Sequence, residues 1–135
     1  MSSLAGRAYL KMNGLGNEFV IIDLRENPAV IDEETAQRIA NPKTGPGCDQ
    51  IITLEHRKGY DGVFMGVWNA DGAEVGACGN ASRCVGWLLM NEYNADEISF
   101  HTGAGELKAW RVGDNRIAVD MGEPKFHWRD IPLAE

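Results

Sequence analysis

Asn80-Ala81-Ser82-Arg83-Cys84-Val85-Gly86-Trp87-Leu88-Leu89-Met90-Asn91-Glu92-Tyr93 is the stretch that decides the fold of this chain. Its pattern is helical, and Ala81, Val85, Trp87, Leu88, Leu89 and Met90 leave almost no polar face at its middle. A helix apolar nearly all round belongs inside a fold, not on its surface. Something must wrap it, and the flanking segments read as strands. Upstream, Ala8 to Met12 and Glu18 to Asp23 form two short strands around the Asn13–Asn17 loop. Phe19-Val20-Ile21-Ile22, rich in β-branched and aromatic residues, fits a strand buried on both faces. Gln50 to Glu55 and Val63 to Trp68 come next, joined through Lys58-Gly59. The turn signature Asn69-Ala70-Asp71-Gly72 then leads to a short strand around Ala73 to Gly76. Downstream, Ile98 to His101, Glu106 to Val112 and Arg116 to Met121 read as a meander with turns at Thr102–Gly105 and Gly113-Asp114-Asn115. A second helix is predicted after Asn27-Pro28. Asp32 is its N-cap, Glu33 and Glu34 sit in its first turn where the dipole favours anions, and it stops before Pro42. The expectation is an α+β domain: a strongly curved mixed or antiparallel sheet of seven or eight strands around one buried central helix.

Composition sets outer bounds on function. The chain has 135 residues, with 13 Lys or Arg against 20 Asp or Glu, a formal charge of −7. That length fits one domain able to bury about two-thirds of its unfolded surface without disulfide or metal staples. An acidic balance without a Lys/Arg cluster disfavours a nucleic-acid scaffold or an anionic membrane surface. No stretch nears the ~18 apolar residues of a membrane span. Residues 1–8 read as a loose leader without the apolar core of a secretory signal. Three cysteines is an odd count, and their spacing suits a reducing compartment, hence a cytoplasmic protein.

The chemistry points to the start of the central helix, at Val75-Gly76-Ala77-Cys78-Gly79-Asn80. Free backbone N–H groups and the positive end of the dipole favour an anion there. A thiol so placed loses its proton more readily than the reference of about 8.5. The same N–H groups could hold a substrate carboxylate, so one element supplies both a base and an anion pocket. Cys84 and Cys48 read more simply as small packed hydrophobes. Sharper motifs fail. Cys78 to Arg83 is one residue short of the C-x5-R of cysteine phosphatases. Zinc lacks a C-x2-C pair, and six residues of helix turn Cys84 about 240° from Cys78. Gly14-Leu15-Gly16-Asn17-Glu18-Phe19 lacks the third glycine of a dinucleotide loop and runs into a strand. His56, His101 and His127 show no metal spacing.

Cys78-Gly79-Asn80 joins Lys11-Met12-Asn13-Gly14-Leu15-Gly16-Asn17-Glu18-Phe19, Cys48-Asp49-Gln50, Trp68-Asn69-Ala70-Asp71-Gly72 and Met121-Gly122-Glu123-Pro124 in a pattern that resembles diaminopimelate epimerase. The resemblance runs from Tyr9 to Pro124. It departs mildly at Cys48, where an aromatic is common, and at Ala81-Ser82, where Gly-Ala is usual. It implies a cofactor-free, metal-free isomerase that interconverts LL- and meso-diaminopimelate for lysine and cell-wall synthesis. The family has two similar domains, each giving one cysteine to a cleft. One thiolate removes the α-proton while the other cysteine's thiol delivers a proton to the opposite face. Carried over, Cys78 is one acid/base thiol. Asn17, Gln50, Asn69 and Asn80 bond the substrate, and the backbone of Gly79 and Asn80 meets its α-carboxylate. Residues 9–124 then form the N-terminal epimerase domain and 125–135 begin an interdomain segment, with the C-terminal domain absent. The partner is that second domain or, if two chains pair across the cleft, a homodimer. Two other readings keep the fold: a stand-alone amino-acid-binding module without turnover, and a related racemase such as proline racemase. Asn17, Gln50 and Asn69 together point to diaminopimelate.

Overall fold

Asp32 starts the first helix as its sequence demands. Its carboxylate accepts the Thr35 N–H at 2.7 Å, and Glu33 and Glu34 occupy the first turn of α1 (Glu33–Ala40). The helix ends two residues before Pro42, with the Asn41 N–H returning to the Gln37 carbonyl. In the computed structural model, which describes residues 8–14, 16–76, 79–113 and 116–120, eight strands and two helices follow the expected order. They are β1 (Leu10–Gly14), β2 (Asn17–Asp23), α1, β3 (Gln50–Glu55), β4 (Phe64–Asn69), β5 (Glu74–Val75), α2 (Gly79–Tyr93), β6 (Glu97–Thr102), β7 (Gly105–Gly113) and β8 (Arg116–Asp120).

Seven strands lie in the order β1-β2-β3-β4-β6-β7-β8, and the two-residue β5 pairs with β4. Most pairings are antiparallel, but β2–β3 and β4–β6 are parallel. Parallel neighbours need a crossover, and α1 and α2 supply the two. Both crossovers step the same way along the sheet, yet β3 and β4 run in opposite directions. Right-handed connections from opposed strands must land on opposite faces. The two cores obey this. Val20, Ile22, Leu24, Ile51 and Trp68 pack with Ala36 and Ala40 of α1. Their alternating neighbours Phe19, Ile21, Ile52, Leu54, Met65 and Val67 pack with Ala81, Val85, Leu89 and Met90 of α2. Val20 to Ile22 are therefore covered on both sides, as their composition anticipates.

The sheet curls around α2, which packs against both edge strands, β1 and β8, as well as β6 and β7. Gly86 permits the closest approach: a Cβ there would lie 2.7 Å from the Ala109 Cβ on β7. The wrapping is not complete. Leu89 and Met90 are fully buried, but Trp87 and Leu88, expected inside, are half-buried. The reason is the helix's one open face, where Arg83 is exposed and Trp87 follows it by four residues. Asn94 closes the helix in the left-handed region, at φ 52°, and the Ala95 N–H bonds the Met90 carbonyl. Arg25 ties the end of β2 to the end of α2 through Asp23 at 2.8 Å and Glu92 at 2.6 Å. Met121 to Pro124 and residues 125–135 lie outside the described residues, as do residues 1–7 of the leader.

Candidate functional site

The residues singled out for substrate gather at one end of the sheet because of its strand directions. Asn17 opens β2 and Gln50 opens the parallel β3, while Asn69 closes the antiparallel β4. Register places Gln50 opposite both Phe19 and Asn69, and Asn17 opposite Gly14. The Gln50 side chain donates from Nε2 to Asn69 Oδ1 at 2.9 Å. Its Oε1 is buried and has no hydrogen-bond partner among the described residues. A desolvated acceptor left bare costs about 1–3 kcal/mol, so the pair presents a carbonyl ready for an N–H donor.

The turn that carries Asn69 is braced from α1. The Gly72 N–H bonds the Asn69 carbonyl and the Asn69 N–H bonds the Ala73 carbonyl, both at 2.9 Å. Gln37 of α1 donates to the Asp71 carbonyl at 2.7 Å. Gly72 takes φ +94°, and a Cβ there would lie 2.5 Å from the Glu33 backbone oxygen. Only glycine satisfies both demands.

The start of α2 reaches the same end of the sheet. A Cβ on Gly14 would lie 3.2 Å from Cys84 Sγ and 3.6 Å from the Asn80 carbonyl oxygen, so β1 seats directly on the first turns of the helix. Gly76 approaches the β6–β7 turn closely, and a Cβ on Gly103 would lie 3.1 Å from the Gly76 Cα. Helix α2 begins at Gly79, the residue after Cys78 in the sequence; Cys78 itself lies outside the described residues. Gly79 is exposed and Asn80 half-buried. The Asn80 side chain is engaged by Arg83, whose Nη1 donates to Asn80 Oδ1 at 3.2 Å.

The other cysteines are packed, as their simpler reading has it. Cys84 is buried against Gly14. Cys48 is half-buried against the α1 core, and burial pushes its thiol above the ordinary value. A raised thiol is a poor base at neutral pH. Sequence reasoning missed two features. One is a groove of about 280 Å3 on the open face of α2, lined by Met12, Asn13, Gly14, Arg83, Trp87 and Ile117 among others. Its walls come from β1, α2 and β8, and only the curl of the sheet assembles them. The other is Asp49, whose carboxylate accepts the Glu18 N–H at 2.8 Å; the signal available was an acidic residue directly before Gln50.

Comparison with known proteins bears on the family and the fold. The family model described as diaminopimelate epimerase matches residues 9–127. The diaminopimelate epimerase of Phenylobacterium zucineum (strain HLK1) is 50% identical over 135 residues, covering 100% of this chain and 48% of its own length. That of Acidiphilium cryptum (strain JF-5) is 50% identical over 131 residues, covering 97% and 47%. The chain thus spans about half the length of the curated relatives it matches. Among solved structures, a PhzF-family phenazine biosynthesis protein from Enterococcus faecalis superposes with a TM-score of 0.56 at 16% identity, over 76% of this chain and 39% of that one. A phenazine biosynthesis PhzC/PhzF protein from Clostridium difficile (strain 630) gives 0.53 at 24% identity, over 73% and 35%. These two speak for the curled sheet alone. With the family model matched from residue 9 to residue 127, the chain belongs to the diaminopimelate epimerase family.

Proposed function

We propose that this chain forms one wall of the active site of a diaminopimelate epimerase, an isomerase of lysine biosynthesis that works in the cytoplasm without a cofactor. Residues 9–124 are its N-terminal domain, and residues from 125 onward lead toward a second domain like the one that makes the relatives about twice as long. The observation that carries the reading is the Gln50–Asn69 pair. A buried amide oxygen without a partner among the described residues, beside a second amide and one strand from Asn17, suits the ammonium group of an amino acid. Neutral amides orient a zwitterion without competing for its α-proton.

Cys78, which directly precedes the first residue of α2 in the sequence, takes or gives the α-proton on one face. The Gly79 and Asn80 N–H groups hold the α-carboxylate, which is the group that stabilises the developing carbanion as charge moves onto it. Inversion needs an acid and a base on opposite faces of one carbon. Cys84 is buried in the body of α2 and Cys48 is half-buried against the α1 core, so the second thiol comes from the other domain. The test is deuterium incorporation at the α-carbon of LL-diaminopimelate in D2O, with meso product followed by chiral chromatography. The 135-residue chain alone is expected to give no meso product, and at most exchange without inversion. Full conversion by the monomeric chain would overturn the half-site reading; conversion by a dimer would mean that two copies build the cleft.

A further inference from the structure

We propose that Asp49 is a positioning residue for the substrate site, locking the starts of β2 and β3 together so that Asn17 and Gln50 face one ligand. The proposal rests on the reading of those two amides as substrate contacts. Asp49 and Glu18 make a reciprocal pair: the Asp49 N–H bonds the Glu18 carbonyl at 2.9 Å, and Asp49 Oδ2 accepts the Glu18 N–H at 2.8 Å. In a parallel ladder the residue that receives an N–H on its carbonyl sends its own N–H to a carbonyl two positions earlier on the neighbouring strand. The β2–β3 register pairs Phe19 with Gln50 and carries the Leu24 N–H to the Leu54 carbonyl, so for Glu18 that acceptor would be the carbonyl of Cys48. The chain lies outside the ladder there: Gly47 takes φ +78°, and both Gly47 and Cys48 direct their N–H groups to the end of α1, at Ile39 and Ala40. The Asp49 carboxylate supplies the missing rung from its side chain.

The position of that rung is what matters. Asn17 directly precedes Glu18, and Gln50 directly follows Asp49. On the other side of Asn17 lies Gly16, at φ +90° in open space, where a Cβ would meet nothing within 4 Å. The first residue of β2 therefore follows a residue with open space around it, and Asp49 anchors the strand one residue from the amide that must be held. A displacement near 1 Å at a substrate-orienting group can cost large factors in rate or binding. Lys11 assists from outside, 3.8 Å from the Glu18 carboxylate and bonded to the Pro46 carbonyl at 3.1 Å.

The test uses the full 135-residue chain, labelled with 15N and titrated with LL-diaminopimelate, for wild type, Asp49→Ala, Asp49→Asn and Gln50→Ala. Hydrogen exchange of the Glu18 amide is read on the same samples without ligand. Asp49→Ala is expected to speed Glu18 exchange, move the Asn17 and Gln50 side-chain NH2 signals, and weaken binding about tenfold. Asp49→Asn keeps an acceptor oxygen in place and should restore all three. If Asp49→Ala does not fold, Asp49→Gln carries the comparison, since its oxygen sits one methylene too far. Weaker binding than Asp49→Asn supports the proposal, and equal binding overturns it. It is also overturned if Asp49→Ala leaves the NH2 signals and affinity unchanged while Gln50→Ala loses binding, or if Asp49→Asn fails as badly as Asp49→Ala. Unchanged binding in Gln50→Ala, or no ligand-induced shift in wild type, refutes the substrate reading instead, and the Glu18 exchange and NH2 signals then decide the clamp alone.

Discussion

Replacing Gly86 with alanine sets two effects against each other, and the structure decides between them. In the interior of a helix the change should stabilise by about 1 kcal/mol, because alanine loses less backbone entropy. Against that, the new Cβ would lie 2.7 Å from the Ala109 Cβ, where ordinary carbon contacts begin near 3.4 Å. Ala109 has no rotamer to turn away, and its backbone is held in β7 between β6 and β8. Helix or strand must retreat by close to 1 Å, an overpacking that costs about 1–3 kcal/mol. With neither side able to yield, the upper half of that range applies, for a net loss of about 1–2 kcal/mol. Urea unfolding followed by circular dichroism should show a midpoint lower by about 1 M for a domain of this size. Adding Ala109→Gly removes the collision, so the double variant should exceed the sum of the single changes by about 1–3 kcal/mol. A Gly86→Ala variant as stable as wild type, or a double variant that is merely additive, would refute the claim that α2 and β7 touch at backbone distance.

Two further expectations concern the thiols and acid stability. Cys78 should be the first cysteine alkylated by limiting iodoacetamide, because it precedes a helix N-terminus while burial raises the Cys48 thiol; faster modification of Cys48 or Cys84 would count against it. Asp23, through its bonds to Arg25, and Asp32, through the Thr35 N–H, are held below the usual carboxylate range. Their contribution is present above the unfolded value near 4 and is lost as the pH falls through their folded values. The stability curve should therefore steepen below about pH 4. Asp23→Asn should flatten that limb, and more at low salt than at high; an unchanged limb would show that the Arg25 cluster contributes nothing there.

Local physics made much of this molecule legible before any coordinates. Asp32, Glu33, Glu34 and Pro42 bracket α1 because caps, dipole and proline act within a few residues. The continuous apolar run Val20-Ile21-Ile22 announced a strand covered on both faces. Strand pairing was another matter. Nothing in Gln50 to Glu55 declares that β3 lies parallel to β2 and antiparallel to β4, and that choice sets which helix covers which face. Trp87 and Leu88 were misjudged for the same reason: an apolar helix must be inside something, but periodicity does not say where the curled sheet leaves its gap. At the site, Asn17, Gln50 and Asn69 were found by resemblance, and strand direction brings them to one end of the sheet. Asp49 was passed over because its role depends on Gly47 and Cys48 bonding to the end of α1 instead of joining β2, a tertiary event.

The placement of α1 and α2 on opposite faces has a consequence for which parts of the molecule open independently. The face under α1 is thin, with Ala36 and Ala40 its only buried helical side chains among the described residues, whereas α2 buries Ala81, Val85, Leu89 and Met90 against most of the sheet. Subglobal opening energies follow local apolar contact, so α1 can detach in fluctuations that leave the opposite core intact. Its amides should then exchange with solvent well before those of β2, β3 and α2. Because Gly47 and Cys48 hang from the end of α1 and Gln37 braces the Asn69 turn, each such excursion slackens both supports of the Gln50–Asn69 pair at once. The breathing of a peripheral helix would thereby set how often the proposed amide rim keeps its shape, coupling a local unfolding equilibrium to the proposed recognition without any movement of the central helix.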